Sequence, residues 1–147
     1  MGPEKGAAEP AGLKRSYRRG RKALREACQA PRPEAFHEWR KRVKYHRDHC
    51  RLIRLAWEGP LDARRKESHR LTDLLGEHHD LAELHQLLLS RPGSFGGREA
   101  VRVALERAGE RRAALELEAF RLGRKLYAEA PKRLARRFQT FWRLASR

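Results

Sequence analysis

Apolar residues recur every three or four positions along most of this chain, the period of buried helical stripes. Leu13, Tyr17, Gly20, Leu24 and Ala27 mark the inner side of a first helix, Leu13 to Gln29, which Pro31 and Pro33 terminate. Phe36, Trp39, Val43, His46, Cys50, Ile53 and Trp57 form the stripe of a second helix ending at Gly59-Pro60. A third helix runs from Leu61 to about Leu75. Gly76 interrupts the pattern, and a fourth covers Asp80 to Leu89 with Asp80 as its N-cap. The alternative for Leu75–Leu81 is a bend within one long helix. Arg91–Gly97 reads as a loop, Arg98–Glu129 as a long helix with near-heptad apolar spacing, and Lys132–Ser146 as the last helix. Residues 1–12 are small, polar and rich in Pro and Gly, the composition of a disordered tail. No stretch alternates with period two. The expected fold is therefore all-α, without a sheet: an antiparallel bundle of about five to six helices in one domain over residues 13–147.

The polar side of the second helix changes this picture. His37, Arg40, Lys44, Arg47 and Arg51 share an arc of roughly 80°, centred about 130° from the apolar stripe. The formal net charge of the chain is +16. The excess sits at both ends and on this helix, whereas Leu61–Ser90 is slightly acidic in balance. Such a field points to an anionic partner: a nucleic acid, a polyphosphate or an anionic membrane surface. Two cysteines make no disulfide framework, and Cys50 falls on a buried stripe, as a reduced thiol does. The sequence shows no secretory signal and no apolar run of membrane-spanning length, so a cytoplasmic location is expected.

The cationic ridge extends about 21 Å from His37 to Arg51, long enough to touch several phosphates of one chain. Arg64 and Arg65 on the third helix read as outward-facing. Seven histidines invite a metal hypothesis, but no HExxH or CxxC occurs, and no metal site or cofactor is expected. His46 lies on the apolar stripe and reads as a hydrogen-bonded core-edge histidine. In Leu75–Leu81 the bland reading, a glycine bend before an N-cap, outweighs a role for His78 or His79 beside the ridge. There is no phosphate-binding G-x-x-x-x-G-K-[ST] loop and no G-x-S-x-G elbow, and no nucleophile stands out. The chain reads as a binder rather than an enzyme.

The run His37-Glu38-Trp39-Arg40-Lys41-Arg42-Val43-Lys44-Tyr45-His46-Arg47, with Leu75-Gly76-Glu77-His78-His79-Asp80-Leu81 after it, resembles the CHAD domain (conserved histidine α-helical domain). Gly123–Glu129, Pro131-Lys132, Arg136-Arg137 and Trp142 resemble its tail. The resemblance implies a helical fold that binds inorganic polyphosphate in a basic channel without catalysis. It carries the role of binding residue to His37, Arg40, Lys41, Lys44 and Arg47, and less strongly to Lys125 and Lys132. Arg51 extends the same ridge. His79 stands where family members often have Arg. A full CHAD domain is about twice this length, so the chain resembles one half, either a reduced member or one copy of a homodimer that rebuilds the pore. Rival readings are a nucleic-acid binder, for which stacking aromatics are scarce, and a metal-dependent hydrolase of phosphate chains. A membrane-surface role ranks last.

Overall fold

The computed structural model describes residues 10–147, and most of the expected N-terminal tail lies outside them. Five α-helices follow one another: α1 (Pro10–Gln29), α2 (Pro33–Ile53), α3 (Glu58–Ser90), α4 (Arg98–Leu126) and α5 (Pro131–Ala145). No strand occurs among the described residues, and the fold is an all-α bundle. None of these helices is long and apolar enough to cross a membrane.

Helix α1 begins at Pro10, inside the expected tail, and α4 ends at Leu126 rather than Glu129. Two other boundaries differ more. First, α2 ends at Ile53 rather than at Gly59-Pro60. A 3-10 turn at Arg54–Ala56 follows, and the backbone is extended at Trp57. Gly59 and Pro60 then sit in the first turn of α3, where proline's missing N–H has no intrahelical partner to lose. Second, Gly76 does not break the helix. α3 runs unbroken through Gly76 and Asp80, so Asp80 caps nothing. A glycine inside a helix costs about 1 kcal/mol, too little to outweigh packing along two faces of α3.

Helix α3 packs against α2 on one side and α4 on the other, while α5 closes on α1 and the Arg54–Ala56 turn. The core joins Leu13, Tyr17 and Leu24 of α1 with Phe36, Trp39 and Val43 of α2. Leu71 and Leu75 of α3, Leu122 and Leu126 of α4, and Leu134 and Phe138 of α5 complete it. Trp39 is fully buried and stacks on Phe120, with ring centroids 5.6 Å apart. Its ring edge reaches Gly123 so closely that a Cβ there would lie 2.5 Å from Cζ2. The glycine is what lets α4 approach α2. Tyr17 stacks on Tyr127, and its hydroxyl donates to the Glu129 carbonyl at 2.7 Å.

Arg64 is not the outward-facing residue its spacing predicts. Its Nε donates to Nε2 of His46 at 2.9 Å, and an Nη donates to the Leu126 carbonyl. The guanidinium also lies over the rings of Tyr17 and Phe138. One side chain thus ties α3 to α1, α2, α4 and α5. Because Nε2 of His46 accepts, the imidazole is neutral, with its proton on Nδ1. Burial, then the Arg64 charge and His49, hold its pKa well below the usual histidine value. The Cys50 thiol, 3.6 Å from the same nitrogen, is pushed up to about 11 by burial.

This neutral histidine sets a pH dependence. Its folded-state pKa is depressed, so its contribution is complete above the unfolded value of about 6.5. Below that the unfolded chain takes up a proton that the folded chain refuses. Stability should then fall by up to about 1.4 kcal/mol per pH unit until the folded pKa is reached. His49, lowered chiefly by burial, acts in the same direction. Thermal melts between pH 7.5 and 5.5 should show the decline. His46→Gln, which keeps an acceptor for Arg64, should flatten it; an equally steep decline in that variant would refute the assignment.

Candidate functional site

Arg40, Lys44 and Arg47 are half-buried, with exposed His37 and Arg51 at the two ends of the row. The row lies along the antiparallel partner α3, to which several of its members are fixed. Arg40 Nε donates to the Thr72 carbonyl at 3.2 Å. Its guanidinium rests over Gly76, where a Cβ would lie 3.1 Å from Nη2. The missing side chain at Gly76 therefore makes room for an arginine laid across α3. Arg47 Nη1 lies 3.5 Å from Nδ1 of His69, and its Nε is 3.3 Å from Asp48. At the far end the rings of His37 and His79 are 5.6 Å apart.

The electrostatics separate this row from the rest of the surface. Elsewhere most arginine contacts are ion pairs, such as Arg111 with Glu77, Arg137 with Glu129 and Arg102 with Glu99. Among the described residues, Arg40, Lys44 and Arg51 have no carboxylate partner. Arg40 is held by a backbone carbonyl, which positions it without neutralising it. Carboxylates stay at the margins: Asp48 beside Arg47, Asp73 at 3.5 Å from His69, and Glu83 at 3.2 Å from His79. The result is a cationic groove between α2 and α3 with preset arginines, suited to a chain of anionic oxygens.

The structure gathers His37, Arg40, Lys44, Arg47, Arg51 and His79 along this groove. Lys41 lies about 40° beyond His37, at the solvent-facing edge of the row, exposed and 4.0 Å from Glu38. Lys125 lines a different cavity with Arg64, Glu67 and Arg70. At about 100° per residue, that face of α3 is roughly 170° from the one carrying His69, Thr72, Gly76 and His79. Lys132 is exposed at the start of α5, which packs chiefly on α1 and the Arg54–Ala56 turn. His78, the other histidine of its pair, is buried: it contacts the Phe36 ring, and its Nε2 lies 2.9 Å from Glu116. Sequence reasoning missed His69 and the packing role of Gly76. The signal was the seven-residue spacing from His69 to Gly76 with His79 three further on, which places all three on one face only if the helix is continuous.

The CHAD domain model matches residues 4–89, more than half of the chain. The protein belongs to the CHAD domain family. Neither the curated proteins nor the solved structures gave a match. The matched span of this CHAD protein includes α1, α2 and nearly all of α3, and so both walls of the groove. It stops before α4 and α5, leaving Lys125 and Lys132 outside it.

Proposed function

We propose that this CHAD protein binds inorganic polyphosphate, without catalysis, in the groove between α2 and α3. The observation that carries the reading is the line of half-buried and exposed cations from Arg40 to Arg51, several with no carboxylate partner, inside the family-matched span. The family as a whole is associated with binding of polyphosphate and triphosphate. Arginine and lysine hold phosphate oxygens by charge and hydrogen bonds without moving a proton, so no catalytic step is assigned. A nucleic-acid strand fits less well, because Phe36 and Trp39 are buried and offer no stacking platform to the groove. Pairing of two copies belongs to the same reading. Each copy would supply one cationic groove, and the polyanion between them would offset the repulsion of two +16 chains. Such a protein would retain polyphosphate in the cytoplasm.

The test is a titration with long-chain polyphosphate at several salt concentrations, with released orthophosphate monitored. About four neutralised phosphates predict a slope near −3 for log K against log salt. No binding at physiological salt, displacement by an equal amount of single-stranded nucleic acid, or steady release of orthophosphate would each overturn part of the reading.

A further inference from the structure

A second basic site lies away from the groove, between α1 and the C-terminal end of α4. Here Arg21, Arg25 and Arg124 line a cavity of about 430 Å³. Buried Leu24 and Tyr127 form its floor, exposed Ala128 supplies apolar wall, and Gln29 and Cys28 supply polar atoms. Among the described residues no acidic side chain lines it, whereas the cavity beside Lys125 contains Glu67 and the one beside Lys22 contains Glu26 and Glu38. Among the described residues none of the three arginines forms an ion pair; Arg124 lies over the Phe120 ring instead. Trp39, Leu24 and Gly123 pack between this cavity and the core side of α2, so the two basic sites are separate.

The walls differ in kind from those of the groove. An extended polyanion needs a long line of charge and no apolar surface. This cavity is an open, part-apolar depression with a few charged groups converging, and its volume falls within the range of about 300–1,000 Å³ of small-molecule sites. We propose that it binds a phosphate ester of nucleotide size. The arginine forks hold the phosphates, the sugar and base lie over exposed Ala128 and the stems of Arg25 and Arg124, and the Gln29 amide meets a base edge. The inference does not depend on the polyphosphate reading.

Cys28 reports occupancy directly. It is exposed on the cavity wall, whereas the only other thiol, Cys50, is buried with its pKa pushed up to about 11. Alkylation of Cys28 by iodoacetamide, a neutral reagent, is followed by mass spectrometry with ADP as the probe. At ADP about ten times its Kd, labelling should slow by about tenfold. Adenosine should protect far less, and pyrophosphate should need a higher concentration. Protection should vanish in Arg21→Ala/Arg124→Ala, checked for folding by circular dichroism, and should persist in Arg40→Ala/Lys44→Ala. The proposal is overturned if millimolar ADP leaves the labelling rate unchanged, or if protection survives loss of both cavity arginines. Equal protection by adenosine, or by pyrophosphate at the same concentration, would overturn the phosphate-ester assignment.

Discussion

Replacing Arg40, Lys44 and Arg47 together by alanine is expected to weaken binding of long-chain polyphosphate by about a thousandfold. Each side chain offers charge-assisted hydrogen bonds worth about 1.5 kcal/mol, and three such losses give roughly 4.5 kcal/mol. The slope of log K against log salt should also become shallower by about 2, because three fewer phosphates are neutralised. The comparison is a variant of equal charge loss on exposed positions away from the groove, Arg107→Ala/Arg133→Ala/Arg136→Ala. Arg64 would be the wrong control, since its loss strips His46 and the Leu126 carbonyl of their donor. If both triple variants lose the same affinity, the protein acts as a diffuse positive sphere and the groove has no special role.

The largest effect on stability is expected from Trp39→Ala. The side chain is fully buried, stacks on Phe120 and meets Phe36 at 6.3 Å between centroids. Truncation of such a residue costs about 3–5 kcal/mol, because the cavity it leaves is only partly refilled. Against a total of about 5–15 kcal/mol for a domain, that is a large fraction. For a chain of this size the midpoint of thermal unfolding should drop by about 10–20 °C, read by circular dichroism. Collapse of α4 onto α2 is limited, because Gly123 already brings the backbone against the ring. A drop below about 3 °C would mean that Trp39 does not hold the two helices together.

The α2 stripe was legible residue by residue: Phe36, Trp39, Val43, His46, Cys50 and Ile53 are all buried. Periodicity identifies a buried face wherever the helix persists. It failed at Trp57, because the helix ends at Ile53 and the residue falls in an extended link. There it lies edge-on to Phe141 and half-exposed. Gly76 misled for a related reason. A glycine in a helical pattern reads as a break, and nothing local shows that an arginine from 36 residues earlier will lie across it. Arg64 could not be read at all. Its long stem lets the guanidinium reach past its own helical face, and its partner His46 is 18 residues back on another helix. The groove was half legible. The α2 wall stood out as one charged arc, while the α3 wall depended on a helix continuity that its composition obscured. Lys125 and Lys132 were drawn from the tail, where spacing along the chain carries no information about which side of α3 they reach.

The hydrogen bond from Tyr17 to the Glu129 carbonyl joins residues 112 positions apart. The most extensive helix pairings, α1 with α2, α2 with α3 and α3 with α4, join neighbours in the chain, while α5 reaches back to α1 and to the Arg54–Ala56 turn. Closing a loop of that length carries an entropy cost that only the finished core repays. The three consecutive hairpins can therefore assemble from local contacts in the fast regime of helical proteins, with α1 meeting α5 last. Tyr17 and Glu129 then act as the clasp of the fold, and the order of its assembly is set by where that clasp sits.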